Sequence, residues 1–160
     1  MKKSDVIKQL ILNGNIPQVT HRFPINQLPD TIKVSGIEKS GVTHRVITKE
    51  MFEQKLKNQK EDEVLTMGRD HPADVKFASF SDTRWSRIQL IWKKEGDEAI
   101  LIDCSRNGGT HVFKGDELIP PTENYPWEEW LSTIQTVVKD EPEDEQSKIR
   151  AAIKNLLHRN

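Results

Sequence analysis

The sequence predicts an α+β fold, in which a mostly antiparallel sheet is combined with helices near both ends of the chain. Two observations support this class. Between residues 74 and 114, short apolar runs alternate with turn-forming clusters, as in antiparallel strands joined by tight connections. Near the C-terminus, two segments carry apolar residues at helical spacing. The expected architecture is therefore a sheet with a C-terminal helical hairpin packed on it.

The predicted sheet is a meander of four strands over residues 74–80, 87–94, 99–104 and 110–114. Two polar clusters rich in glycine, around Gly96 and Gly108, separate the later strands. The run Ala99-Ile100-Leu101-Ile102 is apolar on both faces, which is typical of a fully buried strand. We therefore expect this run to form the centre of the sheet.

Before the meander, the pattern predicts a helix that Ser4 caps and Gly14 ends. Residues 16–29 contain three prolines, which argue for an extended segment and against a central strand. A hairpin is expected from strands over residues 31–35 and 42–47, followed by a helix from Thr48 to about Lys60. A short strand is expected over residues 64–67.

The sequence pattern in the last third of the chain predicts two helices. Pro126 suits the start of the first, because proline is favoured where helices begin and Glu128 and Glu129 follow it. The second helix starts near Pro142. A short loop separates them, so they should form an antiparallel hairpin. We expect one domain, with a sheet-centred body over residues 1–118 and the hairpin over residues 122–160.

Composition limits the classes of protein. A length of 160 residues is enough for one domain with its own core. No apolar run reaches membrane-spanning length, so no membrane association is expected. The N-terminal pattern is that of an amphipathic helix and not of a signal peptide. Cys104 is the only cysteine, which excludes an internal disulfide and a cysteine-rich zinc site. We expect a cytoplasmic protein without a cofactor.

Charge is unevenly distributed along the chain. Residues 1–115 carry 19 Lys and Arg against 15 Asp and Glu, whereas residues 116–160 carry 5 against 10. A basic body with an acidic C-terminal segment is compatible with a surface that faces nucleic acid. An excess of four positive charges over 115 residues is also ordinary for a protein that binds no nucleic acid.

The best candidate for a nucleic-acid-binding surface is the segment that contains Arg84, Trp85 and Arg87. Arginine pairs with phosphate and an exposed ring stacks on bases, so their alternation suits nucleic acid. The alternative is that Trp85 belongs to the core and that the arginines form a solvated rim. Further basic residues expected at this surface are Lys93 and Lys94, at the other end of the same strand, and Arg45.

One enzymatic alternative is a metal-dependent nuclease. Asp74-Val75-Lys76 resembles the Asp-x-Lys triplet of restriction-endonuclease-type sites, in which carboxylates hold Mg²⁺ and the lysine orients the attacking water. An acid that precedes the triplet would complete the site. Asp30, Asp62 and Asp70 are the candidates for it.

A second enzymatic alternative is a metal-free ribonuclease. His44 and His111 would act as acid and base, and Arg45, Arg84 or Arg87 would hold the phosphate. A thiol nucleophile, Cys104 with His111, is less favoured because Cys104 ends the most apolar strand. The histidines His21, His44, His71 and His111 are too widely spaced in sequence to suggest a metal site, which leaves ordinary core or surface positions as their expected role.

The tetrapeptide Val-Thr-His-Arg occurs twice, at residues 19–22 and 42–45. Its flanks differ, so coincidence is expected and not a structural repeat. From these observations we expect a small nucleic-acid-interacting accessory or regulatory protein without catalysis. A small nuclease or RNase toxin is the enzymatic alternative. A third is a protein-binding inhibitor or immunity-type module, which contacts a partner or a second copy through residues 126–157.

Overall fold

The computed structural model describes residues 2–28, 31–38, 41–60, 63–69, 74–76, 86–105, 111–114 and 116–159. Within these ranges the chain forms four α-helices and ten β-strands. In chain order they are α1 (Lys3–Asn13), β1 (Val19–Pro24), β2 (Thr31–Glu38), β3 (Gly41–Thr48), α2 (Lys49–Lys57), β4 (Leu65–Gly68), β5 (Val75–Lys76), β6 (Leu90–Glu95), β7 (Glu98–Asp103), β8 (His111–Lys114), β9 (Glu117–Ile119), β10 (Glu123–Asn124), α3 (Trp127–Lys139) and α4 (Glu143–Arg159).

The strands form two sheets. The larger has six strands in the order β10-β1-β7-β6-β4-β5, and the smaller has four in the order β3-β2-β8-β9. Among the described pairings only that of β4 with β5 is parallel; the others are antiparallel. The predicted α+β class is confirmed, and the larger sheet is mixed.

The predicted meander holds only at its centre. β6 and β7 form a tight hairpin in which Glu95 pairs with Glu98 and Gly96 takes a left-handed φ of 60°. The prediction was wrong on both sides of that hairpin. The described part of β5 pairs with β4, while β8 belongs to the smaller sheet and pairs with β2. The reason is that β7 already has β1 as its second neighbour, so no edge remained for β8. Residues 77–80 and 110 of the predicted strands lie outside the described residues.

The strand β1 lies inside the larger sheet, contrary to the expectation drawn from its prolines. It pairs with β7 along all six residues and with β10 at Val19 and Thr20. Pro17 precedes the strand and Pro24 is its last residue. Proline breaks a ladder only where a backbone N–H is needed. Because both prolines flank β1, they mark its ends and do not exclude it from the centre.

The other local predictions agree with the structure in the position of the elements, but not in every helix end. α1 ends at Gly14, which has a left-handed φ of 72°. Its N-cap residue is Lys2 and not Ser4, and no side chain caps it. The hairpin of β2 and β3 is confirmed over longer strands than predicted. α2 ends at Lys57, three residues before the predicted end.

Two apolar clusters lie on opposite faces of the larger sheet. Along β7, Ile100 and Ile102 join the cluster formed with α1, α3 and α4. Ala99 and Leu101 join a second cluster, which includes Val112 of the smaller sheet and Leu56 of α2. This alternation buries β7 on both faces, which confirms it as the central buried strand. The helices α1, α3 and α4 therefore cover one side of the larger sheet, and the smaller sheet covers the other.

The C-terminal hairpin is an integral part of the fold. Trp130 and Ile134 of α3 and Ile149 of α4 are buried against α1 and the sheet. The Nζ of Lys8 lies 3.1 Å from a carboxylate oxygen of Glu141, which ties α1 to the connection between the two helices. No helix in the described part of the chain has the length and apolar character needed to cross a membrane.

Candidate nucleic-acid interface

The predicted Arg-Trp segment is described only at its end, because Arg84 and Trp85 lie outside the described residues. Arg87 is exposed at a bend that precedes β6. Its backbone passes very close to β4: a Cβ atom built on Gly68 would lie 1.9 Å from the carbonyl oxygen of Arg87. The absence of a side chain at Gly68 therefore permits this crossing, which presents Arg87 at the surface.

Lys93 and Lys94 do not share a surface with each other. They are adjacent in β6, and successive residues of a strand point to opposite faces. Lys93 lies on the helix side, where its Nζ is 3.2 Å from a carboxylate oxygen of Glu95. Lys94 is exposed on the side of the smaller sheet. The two lysines therefore lie on opposite faces of β6, and a contribution of either one to nucleic-acid binding stays a prediction.

The carboxylate of Asp74 holds β5 against β4. Its Oδ2 accepts hydrogen bonds from the backbone N–H of Thr66 at 3.0 Å and from the Thr66 hydroxyl at 3.1 Å. The same hydroxyl accepts the backbone N–H of Asp74 at 2.9 Å. Lys76 is exposed two residues further on. These bonds give Asp74 a structural role, which is separate from the predicted one in metal binding.

The other parts of the nuclease hypothesis are not assembled in the described residues. Asp30, Asp62 and Asp70 all lie outside them, as does His71. Over the residues that the structure describes, no three His, Cys, Asp or Glu side chains are placed to hold a metal ion.

The smaller sheet has an inner and an outer face. Val112 is 1% exposed in the cluster between the two sheets, and its cross-strand partner Ile119 packs there too. The neighbouring residues of β8, His111 and Phe113, are half-buried. Leu118, which pairs with Phe113, is 53% exposed. Rows of paired residues alternate between faces, so His111 and Phe113 belong to rows on the outer face.

The register extends these rows across β2 and β3. Ser35 pairs with His44 on one side and with His111 on the other. Two strand spacings separate β3 from β8, so the backbones of the two histidines lie about 10 Å apart. Lys33 pairs with Phe113 in the next row. We call the surface formed by these two rows the outer face; its rows are His44–Ser35–His111 and Val46–Lys33–Phe113–Leu118.

Arg45 does not belong to the outer face. It pairs with Val34, which pairs in turn with buried Val112, so Arg45 lies in an inner row at the sheet edge. The register therefore places the residues predicted for the ribonuclease in two groups. His44 and His111 share a row, and Arg45 lies in the adjacent row of the opposite face.

Cys104 and His111 are not brought together. Cys104 is fully buried in the cluster on the helix side of the larger sheet. Burial raises the pKa of its thiol well above the ordinary value, which disfavours the thiolate that a nucleophile requires. His111 lies in the smaller sheet. These observations do not support the thiol-nucleophile alternative.

His21 is a buried residue whose role the sequence analysis missed. Only 2% exposed, it donates from Nε2 to the carbonyl of Ile119 at 3.1 Å. Its ring stacks on Phe23 with centroids 6.4 Å apart. Burial lowers the pKa of His21, although the Ile119 carbonyl and Asp103 act in the opposite direction. Its Nδ1 has no hydrogen-bond partner among the described residues. The alternation of His21 with Phe23 was the available signal, since residues two apart share a strand face.

Among the described apolar side chains of α3 and α4, Trp130, Ile134, Val137, Val138 and Ile149 are buried inside the protein. A groove of about 550 Å³ lies between the two helices. Lys139, Arg150 and Ile153 are among the residues that line it. A contact through residues 126–157 with a partner or a second copy stays a prediction, and this groove is where it would form.

No family model matches this chain, and no curated protein or solved structure matches it significantly. The function is therefore inferred from the chemistry and the placement of the chain's own residues.

Proposed function

We propose that this chain is a nucleic-acid-interacting accessory or regulatory protein without catalysis, which binds a single strand on the outer face. The row Lys33–Phe113–Leu118, beside the row of the two histidines, supports this proposal. An open antiparallel sheet face with an aromatic residue is a common platform for bases, which stack on the ring. Lys33 would neutralise a neighbouring phosphate, and the histidine row would contribute hydrogen bonds.

The distribution of charge between the two sides of the protein also supports the outer face as the surface that binds nucleic acid. The acidic helices α3 and α4 pack on the face of the larger sheet that is remote from the smaller sheet. A phosphate backbone on the outer face would therefore avoid most of the acidic segment. Asp116 and Glu117 are exceptions, since they lie at the turn between β8 and β9.

The test is titration of labelled single-stranded RNA, single-stranded DNA and duplex, each about 12 nucleotides long, at several salt concentrations. Phe113→Ala should weaken single-strand binding by about 1–3 kcal/mol with an unchanged salt slope, because a stacked base is lost. Lys33→Ala should lower the salt slope by about one unit, because one phosphate contact is lost. Lys148→Ala is the matched control, an exposed lysine on α4 and away from the outer face.

Binding that is lost equally in all three variants would argue against a defined surface. An unmodified protein that binds no oligonucleotide even at low salt would end the nucleic-acid proposal. It would favour the protein-binding alternative through residues 126–157. Thermal melts of each variant separate lost binding from lost folding.

The sequence-based surface at Arg84, Trp85 and Arg87 is tested in the same titration. Arg84→Ala or Arg87→Ala should weaken binding to all sequences and lower the salt slope by about one unit each. Trp85→Ala should cost about 1–3 kcal/mol of binding if a base stacks on the ring. A drop in melting temperature with unchanged binding would assign Trp85 to the core.

A ribonuclease is the second candidate, and the shared row of His44 and His111 is the observation that favours it. A spacing of about 10 Å between their backbones leaves room for a phosphate between the two rings. Cleavage should then require the 2′-hydroxyl, persist in EDTA and disappear in His111→Ala. Cleavage that instead requires Mg²⁺ and fails in Lys76→Ala would support the nuclease triplet.

A further inference from the structure

The edges of the two sheets differ greatly in length. In the larger sheet the edge strand β10 has two residues, and β9 at one edge of the smaller sheet has three. The other edge of the smaller sheet, β3, has eight residues. Short edge strands offer few unpaired backbone groups, which limits pairing with other chains. The edges at β10 and β9 are thus protected by their shortness, and β3 is not.

The sequence of β3 lacks the residues that usually protect an edge. Gly-Val-Thr-His-Arg-Val-Ile-Thr contains no proline and no lysine, and its one charged residue is Arg45. In the described part of the chain, β3 pairs along its length with β2 and with no other strand. Half of its N–H and C=O groups therefore point away from the sheet, along an edge of about 25 Å.

We infer that β3 is a dimerisation edge, at which two copies of this chain pair antiparallel about a two-fold axis perpendicular to the sheet. The two four-stranded sheets then become one sheet of eight strands. An antiparallel edge is complementary to itself under such an axis, so the second copy supplies a strand of equal length. This inference is independent of the proposed function, and it is tested without nucleic acid.

Residue chemistry selects one register. Residues that pair across two strands point to the same face of the sheet, and side chains along one strand alternate between faces. Paired residues of the two copies must therefore be an even number of positions apart, so the two-fold axis passes between one residue and its own copy. An axis at Arg45 would place Arg45 opposite its own copy, and directly opposed like charges are destabilising. An axis at His44 instead places Val42 opposite Val46 of the other copy. It also places Thr43 opposite Arg45, so no like charges meet.

The contact is expected to be weak. Pairing confined to two strands lies at the small end of protein interfaces, below about 1,200 Å². Monomer and dimer should therefore exchange, and the dimer should become detectable as the protein concentration rises.

The test uses single added cysteines, which is practical because native Cys104 is fully buried. In His44→Cys the two thiols meet at the axis, with Cα atoms about 4.5–5.5 Å apart, within the range for a disulfide. Mild oxidation should yield a covalent dimer. Val46→Cys is the matched control, because Val46 lies in the same strand and on the same face as His44. With the axis at His44, residue 46 of one copy is displaced from residue 46 of the other by four residues, or about 13 Å along the strands. The double variant Val42→Cys/Val46→Cys should cross-link again.

Sedimentation velocity over a range of concentrations measures the same association without cross-linking. The unmodified protein should sediment as a monomer–dimer mixture. Val46→Lys should sediment as a monomer with an unchanged melting temperature, since a lysine protects an edge strand. A protein that stays monomeric at every concentration would overturn the inference. So would a dimer in which His44→Cys cross-links no better than Val46→Cys.

Discussion

His21 and Ile119 connect the two sheets through one hydrogen bond: the Nε2 of His21, in β1, donates to the carbonyl of Ile119, in β9, at 3.1 Å. The bond requires the proton on Nε2, which leaves Nδ1 as the unprotonated nitrogen. A second proton would place a positive charge among Phe23 and Trp92. We therefore expect the junction between the sheets to be sensitive to acid.

We predict that the protein loses stability as the pH falls below about 6.5. The pKa of folded His21 lies below its ordinary value of 6.5, because burial disfavours the charged ring. Below that value the unfolded chain binds a proton that the folded chain does not bind. Protonation therefore favours unfolding, and the free energy of unfolding decreases with decreasing pH until folded His21 also titrates. Asp103 is the charged residue that moderates this effect.

Urea unfolding at several pH values between about 8 and 5 measures how steeply the free energy of unfolding changes with pH. His21→Gln should flatten this dependence in this window, whatever its effect on stability at neutral pH. An unmodified protein with constant stability over this range would contradict the prediction.

Truncation of the central strand should be strongly destabilising. Leu101→Ala and Ile102→Ala remove side chains from the two clusters on opposite faces of β7, and each should cost about 2–5 kcal/mol. Chemical denaturation measures both. Leu118→Ala is the control, because Leu118 is largely exposed and should change stability little. Losses below about half a kcal/mol at both buried positions would be incompatible with a central β7.

Removal of everything after Leu118 should abolish cooperative folding. The truncated chain would lack β10, α3 and α4, which would leave Val6, Leu10 and Ile91 without most of their covering. Such a chain should be insoluble or a molten globule that binds a hydrophobic dye and lacks near-ultraviolet circular dichroism. A cooperative melt at the temperature of the full chain would mean that the helices serve a partner.

Gly68 and Gly96 should respond differently to substitution. Gly68→Ala places a methyl group against the Arg87 carbonyl, so β4 and the bend must separate, at a cost of about 1–3 kcal/mol. Gly96 has open space around it but a left-handed φ of +60°. Gly96→Asn should therefore be tolerated better than Gly96→Ala, since asparagine adopts this conformation more readily. Equal effects of alanine and asparagine at position 96 would exclude the conformational explanation.

The local sequence pattern predicted most of the helices and strands, but it did not predict which strands pair with one another. The hairpin of β6 and β7 and the helices α3 and α4 follow from residue spacing and turn chemistry. The position of β1 does not, because its partners β7 and β10 lie far along the chain. The two Val-Thr-His-Arg tetrapeptides show the same limit. His21 is buried inside the larger sheet, and its counterpart His44 lies on an edge strand of the smaller one.

The candidate site was predictable to a similar extent. His44 and His111 were each assigned to strands from the sequence. Their common row depends on β2, which pairs with β3 on one side and β8 on the other. The position of Lys93 and Lys94 on opposite faces of β6 could have been predicted from the alternation of side chains along a strand. It was missed because both residues were considered as one end of a strand and not as opposite faces.

The pairing of β1 also has a consequence for synthesis on the ribosome. Val19 has Asp103 as its partner on one side and Asn124 on the other, and α1 packs against helices that follow still later. A nascent chain therefore exposes its first helix and strand until nearly the whole sequence has emerged. Contacts this distant slow folding, and unpaired strands invite aggregation meanwhile. Chaperones at the ribosomal exit would then have to shield α1 and β1 until β7, β10 and α3 are available to pack with them.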